Sequence, residues 1–230
     1  NTAKIFCFPL PGPIRPEVYV PKDISIFLHH GAGYGDVKLR EGRLRRTILT
    51  NPALDDLWRY ASSEYFIDIP VSNYTEPELL FEEAAYKYTA IESDYPVTVY
   101  ATLFHDCKNK KYVVEYWFFY YFNDFGNAHE GDWEMIAVLL DEGGEPGVVG
   151  EPIEAGYSGH YGGYRKKWAF VETVGSHPVV YVGNGGHASY FRSGMDRVKS
   201  MEEYHRGDRE CIVPPGVKVP DRWNVKHVSK

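Results

Sequence analysis

The stretch that decides the fold is EYWFFYYFNDFGNAHEGDWEMIAVLL, residues 115–140. Residues 112–122 carry aromatic or aliphatic side chains on both faces of an extended chain, apart from Glu115, and residues 135–140 are all apolar. Strands that are apolar on both faces lie in the middle of a sheet and are covered on each side. The sequence therefore predicts two central strands, 111–122 and 132–140, joined by a polar connection.

Working outward, the remaining strands and two helices follow from periodicity and end signals. Asn51 before Pro52 is typical of a helix start, and Thr75 with Glu78 three residues later is the pattern of a capping box. Apolar residues then recur at helical spacing after each start. The further predicted strands are 97–105, 152–158, 167–174 and 178–183.

Helices that precede a run of strands indicate a β-rich α+β fold. We expect an antiparallel β-sandwich with a few peripheral helices. No linker marks a boundary, so the prediction is a single domain over residues 1–230 with a helical insertion at residues 51–88.

Bulk composition limits the classes of function. The chain has 230 residues and a net charge of −7, so no overall positive field favours nucleic acid, and no such partner is expected. No apolar run reaches the roughly 20 residues of a membrane helix, so we expect a soluble protein. The chain starts with Asn, which leaves open a removed secretion signal or a chain that simply starts there. Whether the protein is secreted or stays in the cell is undetermined.

Two local features need separate mention. The three cysteines, Cys7, Cys107 and Cys211, contain no CxxC pair, and an odd number leaves at least one thiol free or paired between chains. Basic residues follow a Gly-rich loop, and they are either a solvated face or a patch for anions or lipid headgroups at a membrane surface. These basic residues are Lys38, Arg40, Arg43, Arg45 and Arg46.

The densest polar signal lies between the two apolar strands. Asp132 and Glu134 are two residues apart at a strand start, so they point to the same face, and His129 precedes them in a Gly-containing segment. Trp133 alternates with them and is expected to face the core. One imidazole and two carboxylates suit Mg²⁺, Ca²⁺, Mn²⁺, Zn²⁺ or Fe²⁺ without selecting among them. Since unpaired buried carboxylates are costly, we expect a divalent metal ion here.

Two more histidine segments favour a shared pocket. His160 lies in the Gly-rich turn YSGHYGGYR (157–165), and His187 lies beyond the strand in GSHPVVYVGNGGHASYF (175–191). Irregular polar segments at strand ends cluster at one rim of a domain and bear function. We therefore expect His160 and His187 on the same side of the sandwich as His129.

These motifs resemble the vacuolar sorting protein 62 family. The resemblance rests on HEGDWEMI (129–136), YSGHYGGYRKKW (157–168) and HPVVYVGNGGHASYF (177–191), with weaker support from PEVYVPKDISIFL (16–28). Together these pieces span residues 16–191. The chain departs from that family near the expected pocket, at Gly159–Tyr161 and at Gly183–Ser189.

HEGDWE is also similar to the heptapeptide GHRHDWE of the necrosis- and ethylene-inducing-peptide-like toxins. In those toxins a β-sandwich holds a metal ion through the first His, the Asp and the Glu of the heptapeptide and an upstream Asp. The resemblance implies His129, Asp132 and Glu134 as ligands, with Asp124 as the upstream Asp. The second His of the toxin motif is Gly131 here, which argues against cytolytic activity but not against metal binding.

The sequence leaves three functions open. The first is a metal-dependent hydrolase of a phosphoester or lipid headgroup, with His160 or His187 as acid or base and Arg165 neutralising an anion. The alternative is a non-catalytic glycan- or glycolipid-binding or toxin-like module in which the metal coordinates its ligand. In the third, the metal only holds loops together. The expected partner is a small anionic, lipid-headgroup or glycan ligand, and the oligomeric state is undetermined.

Overall fold

The computed structural model describes residues 4–6, 18–72, 77–126, 128–145, 147–198, 201–205 and 226–227. The residues between these ranges include Thr75, Cys7 and Cys211, so the proposed cap and two of the cysteines lie outside the described residues. The helices and strands in chain order are β1 (Lys4–Phe6), β2 (Lys38–Glu41), β3 (Arg46–Thr50), α1 (Leu54–Arg59), β4 (Tyr65–Asp68), α2 (Pro77–Ile91), β5 (Val99–Asp106), β6 (Lys111–Asn123), β7 (His129–Glu142), β8 (Val149–Gly159), β9 (Gly162–Lys167), β10 (Thr173–Val174), β11 (His177–Val182), β12 (Ser189–Tyr190), β13 (Gly194–Val198), β14 (Met201–His205) and β15 (Lys226–His227). Single 3-10 turns occupy Ile24–Leu28, Glu92–Asp94 and Trp168–Phe170.

The main sheet has six strands in the order β15-β5-β6-β7-β8-β9. The strands from β5 to β9 pair antiparallel in succession, and β15 pairs parallel with β5. β6 and β7 lie at its centre, as the doubly apolar stretch predicts. A second sheet is built around β11, which pairs with β1, β10 and β12. A three-stranded sheet has the order β3-β2-β4, and β13 pairs with β14. The β-rich α+β sandwich is therefore confirmed.

One part of the core fills the space between the main sheet and the β11 sheet, and another covers the opposite face of β6, where Tyr121 packs on Phe27 and Tyr88. Phe118, Ile136 and Tyr157 of the main sheet join Val180 and Val182 of β11 in one buried cluster. The Tyr157 hydroxyl donates a hydrogen bond to the Val179 carbonyl at 2.9 Å, which ties the two sheets together. α2 contributes Ala84, Tyr88 and Ile91 to the same core, in the helical spacing that the sequence predicts. No helix in the described ranges combines the length and the apolar character needed to cross a bilayer.

The first helix differs from its prediction. Asn51 does not cap it, because the Asn51 side chain accepts a hydrogen bond from Val37 N at 3.0 Å and its own φ is +52°. The helix instead starts after Ala53, whose backbone N–H donates to the Asp56 carboxylate at 2.9 Å. It spans only six residues and buries none of them, since nothing in the described part of the chain covers Leu54 or Trp58. The region 51–88, predicted as a helical insertion, also contains β4, which pairs with β2.

The strand predicted over residues 167–174 is also wrong. β9 ends at Lys167, and Trp168–Phe170 form a 3-10 turn that is closed by the hydrogen bond from Val171 N to the Trp168 carbonyl at 2.9 Å. Only Thr173–Val174 return to a strand. The local turn satisfies the backbone groups that a continued strand would have left for a partner.

Trp133 corrects a further expectation. It faces away from Asp132 and Glu134, as alternation requires, but the face that it occupies is not the core. Its side chain stays 42% exposed and packs on the rings of Phe119 and Tyr100, with centroids 5.0 Å and 5.5 Å away. The described residues therefore cover this side of the main sheet only partly at Trp133.

Truncating Trp133 should accordingly cost less than truncating the partner directly opposite it. We expect Trp133→Ala to lower the free energy of unfolding by about 1–2 kcal/mol and Phe119→Ala, at a buried position, by about 3–5 kcal/mol. Urea denaturation of both variants tests this. Equal losses would show that the Trp133 face is covered in solution.

Candidate functional site

The first half of β7 sorts its side chains onto two faces. Asp132, Glu134 and Ile136 are buried toward the β11 sheet, while Trp133 between them points the other way. The register sets Asp132 opposite Tyr120 and Glu134 opposite Phe118 on β6. Two carboxylates therefore stand side by side on an apolar floor, as the two-residue spacing predicts.

Gly131 interrupts this alternation. Its φ of +68° is a conformation that side chains with a Cβ avoid, and a Cβ there would lie 3.0 Å from Phe27 Cζ and 3.3 Å from Phe119 Cε2. Residues three apart in a regular strand face opposite sides, but His129 Nε2 lies 3.5 Å from Asp132 Oδ1. Glu130 goes to the other face, where its carboxylate accepts from Ile69 N at 2.8 Å.

Asp132 is the best-connected group of the cluster. Its Oδ2 accepts hydrogen bonds from Asn123 Nδ2 and from His187 Nδ1, both at 2.9 Å. Burial by itself raises the pKa of Asp132, but the hydrogen bonds from His129, His187 and Asn123 outweigh burial and hold the pKa well below its usual range. Asp132 is therefore ionised and fixed in place by protein donors.

Glu134 behaves differently from its neighbour. Burial, the largest effect, raises the pKa of Glu134 to about 7, the hydrogen bond from Ser158 opposes the rise, and the charge of Asp132 adds to it. The Ser158 hydroxyl also accepts from Met135 N at 3.0 Å, which fixes its orientation. One carboxylate of the pair is thus held charged, and the other titrates near neutral pH.

The loop from Gly183 to Ala188 closes one side of the site. Its carbonyls at Gly185 and Gly186 accept hydrogen bonds from Asp124 N at 3.0 Å and Asn123 Nδ2 at 3.4 Å. His187 has a φ of +55°, and its N–H donates to the Gly183 carbonyl at 2.9 Å. The His187 ring is fully buried and stacks on Tyr120 with centroids 4.1 Å apart and 3° between the planes.

His160 joins the cluster from the tip of the β8–β9 hairpin. It is half-buried, its ring stacks on Phe125 at 5.2 Å, and its charge is among the causes that lower the pKa of Glu134. His187 contributes in the same direction. His129 and His187 therefore lie against Asp132, while His160 and His187 are near enough to Glu134 to influence its pKa; that the three line one pocket stays a prediction.

The fit of these residues to a divalent cation is partial. An imidazole nitrogen and carboxylate oxygens are suitable ligands for a divalent cation, and His129 Nε2 and Asp132 Oδ1 face each other. The Glu134 carboxylate, however, accepts a hydrogen bond from Ser158. Across the described residues, no group of three or more His, Cys, Asp or Glu side chains is arranged to hold a metal ion. Asp124 lies with its carboxylate against Gly185, in the space that a Cβ would fill there. The premise that the acids lack partners was wrong for Asp132, because protein donors already compensate its charge.

The residues predicted to act chemically are placed unevenly. His187 is at the site, but it is buried against Tyr120 and fixes Asp132. Arg165 is exposed, and in the described part of the chain its ion pair is with Glu154 at 2.7 Å rather than with the cluster. Two contributing residues were missed from the sequence, Asn123 and Ser158. Asn123 ends the doubly apolar strand with an amide that has to find a partner, and this was the available signal.

The comparisons with known proteins are sparse. No family model matches the chain, and no curated protein matches it, so nothing in these comparisons supports the vacuolar sorting protein 62 resemblance. Solved structures do match over part of the fold. "NLPPya in complex with glucosamine" aligns at 15% identity with a TM-score of 0.30, over 46% of this chain and 42% of that one.

Two further solved structures match to a similar extent. "NLPPya in complex with mannosamine" aligns at 15% identity with a TM-score of 0.31, over 47% of this chain and 43% of that one. "Toxin fold for microbial attack and plant defense" aligns at 16% identity with a TM-score of 0.31, over 49% and 48%. The chain thus spans less than half the length of each of these necrosis- and ethylene-inducing-peptide-like neighbours, and family membership is not shown.

The special role of Gly131 can be tested by adding one methyl group. Gly131→Ala should lower the free energy of unfolding by about 2–4 kcal/mol, because an unfavourable φ and a close approach to two rings act together. Gly33→Ala, with a φ of +83° and open space, isolates the backbone part, and Gly162→Ala, in open space with no positive φ, is the neutral control. If Gly131→Ala unfolds like the Gly162 variant, the irregularity in β7 does not exist in solution.

The role of Asn123 in holding Asp132 can be tested by removing its amide. Asn123→Ala removes a donor to Asp132 and Gly186 and the acceptor of Phe125 N, so we expect a loss of about 2–4 kcal/mol. Asn109→Ala, in an exposed turn, is the matched control. Denaturation midpoints measure both. A loss for Asn123→Ala no larger than for the control would mean that Asp132 is not held through this amide.

Proposed function

We propose that the protein is a non-catalytic module that binds a small polar ligand of the glycan class at the cluster of His129, Asp132, Glu134 and His160. The observation that carries the proposal is a fixed pair of buried carboxylates beneath two partly exposed imidazoles. Ligand sites of this kind combine an apolar surround with a few preset polar groups, and preorganisation reduces the entropy lost on binding.

Burial of the acid–base candidate supports binding over turnover. A general acid or base must come within hydrogen-bond reach of a substrate proton. His187 is fully buried, stacked on Tyr120 and engaged with Asp132, so its position suits holding the carboxylate. Arg165, the candidate for neutralising an anion, is engaged by Glu154. Two of the three residues expected to act in a hydrolase, His187 and Arg165, are therefore engaged in contacts within the protein.

The charge of the cluster supports a neutral or amine-bearing ligand over a phosphoester. Asp132 is held ionised, and the leading influences on the pKa of Glu134 are burial, Ser158, Asp132 and histidines rather than Lys or Arg. Without a bound cation, an anion entering this site meets the negative charge of Asp132. Hydroxyl and amino groups instead donate to carboxylates, and the Phe125 ring beside His160 offers an apolar surface to the body of a sugar.

A divalent cation held by His129, Asp132 and Glu134 is the second part of the proposal. The cation would supply open coordination positions for ligand hydroxyl oxygens, which are ligands that Mg²⁺ and Ca²⁺ prefer. Mn²⁺ and Zn²⁺ are compatible with the same donors. Asp124 stays a candidate for a fourth ligand because its segment is tied to the Gly185 loop.

Titration calorimetry tests both parts. Glucosamine and neutral monosaccharides are titrated into the protein with Ca²⁺ or Mn²⁺ present and again after chelation. We expect measurable binding that falls at least about tenfold in affinity after chelation and in His129→Ala. His30→Ala, an exposed histidine outside the cluster, should bind like wild type.

Each other outcome has a defined meaning. Sugar binding that survives chelation would contradict the proposed cation and leave the proposed binding function standing. No binding of any sugar, with or without metal, would contradict the proposed glycan-binding function. Release of phosphate from a phosphomonoester that stops on chelation would establish the hydrolase instead.

A further inference from the structure

The turn between β5 and β6 places a cysteine in a fixed position. Cys107 begins this turn, and the Asp106 carboxylate accepts from Lys108 N and Asn109 N, both at 3.1 Å. Lys110 completes the turn with a φ of +52°. Side-chain acceptors of this kind lock a turn, so the exposed thiol of Cys107 is held by local backbone structure.

His105 stands beside this thiol. Because His105 and Cys107 are two residues apart at the end of an extended strand, their side chains lie on the same side. Cys107 Sγ is 3.4 Å from His105 Nδ1. On the other side of the ring, His105 Nε2 is 3.3 Å from Glu142 Oε1. One tautomer satisfies both contacts, with Nε2–H donating to the carboxylate and Nδ1 accepting from the thiol.

The imidazole is further fixed by packing. Its ring stacks on Tyr112, the residue opposite it on β6, with centroids 4.3 Å apart and 9° between the planes. Glu142 in turn accepts from Gly147 N at 3.4 Å. The other charged groups at this end include Asp106, Lys108 and Lys110 of the same turn, and Lys111, which pairs with Asp141. A thiol in the turn after β5, a base on β5 and a carboxylate at the end of β7 that orients the base are thus brought together.

We propose that Cys107, His105 and Glu142 form a second chemical site, in which Cys107 is a reactive thiol that exchanges with small disulfides. The arrangement is that of an activated nucleophile: thiol and base are in contact, and the base is oriented by a third group. The site lies at the Lys111 end of β6, while the carboxylate cluster lies near Asn123, about 40 Å along the strand. It is therefore independent of the proposed ligand site.

The exchange step balances without any further reactant. The Cys107 thiol transfers its proton to His105 Nδ1 as its sulfur attacks one sulfur of the disulfide. The S–S bond of the small disulfide breaks and a new S–S bond to Cys107 forms. The departing thiolate takes the proton from His105, so one thiol and one disulfide are consumed and one of each is formed.

The reaction of glutathione disulfide with the full chain tests the proposal. Peptide mass spectrometry follows the modification of Cys107 separately from Cys7 and Cys211. At about pH 6.5 we expect His105→Asn to react at least about tenfold more slowly than wild type at Cys107, and Glu142→Ala to lie between them. At about pH 9.5, where an unassisted thiol is ionised, all three should react at similar rates.

Matched variants make the result decisive. Glu145→Ala changes a nearby exposed carboxylate that has no described contact with His105, and it should react like wild type. Thermal denaturation of each variant shows whether the hairpin stays folded, and Glu142→Ala serves as the test if loss of the Tyr112 stacking unfolds His105→Asn. Equal rates for wild type and both site variants at about pH 6.5 would overturn the proposal, as would a Cys107 rate no higher than that of an unfolded peptide containing it.

Discussion

The carboxylate of Asp132 is the group on which the rest of the site depends. An ionised group removed from water is tolerated only when charge and hydrogen bonds compensate it. Here the compensation comes from Asn123 on the neighbouring strand, from His187 in a distant loop and from His129 at the strand start. One buried charge is therefore contacted by the end of β6, by the start of β7 and by the distant loop that holds His187.

The same constraint explains the unusual backbone around it. His187 adopts a φ of +55°, which costs a residue with a side chain about 1–2 kcal/mol, and its hydrogen bond to Asp132 and its stacking on Tyr120 offset that cost. Gly131 allows the two residues before it to point toward different parts of the fold. It turns His129 toward Asp132 and Glu130 toward Ile69, just beyond the β4 strand of the three-stranded sheet. The site and the packing of that sheet thus share one glycine.

What could be predicted from the sequence was decided by local periodicity. The residues that are apolar on both strand faces predict β6 and β7, and the two-residue spacing of Asp132 and Glu134 predicts that they share a face. Alternation also tells that Trp133 points away from them, but not which of the two faces another layer covers, because that depends on segments far along the chain. Asn123 and Ser158 escaped prediction for the same reason, since a polar residue at a strand end becomes meaningful only once its distant partner is known.

The two ends of the β6–β7 pair differ in how their chemistry is assembled. At the Asn123 end, the groups come from three separated segments, so the arrangement exists only in the complete fold. At the Lys111 end, His105 on β5 and Cys107 in the turn after it are two residues apart, and Glu142 is the group that is distant in sequence. A local pair of this kind forms whenever the hairpin forms, whereas the carboxylate cluster requires the loop of His187 to dock. Conditions that loosen the loop should therefore disturb the cluster first and leave the thiol environment intact.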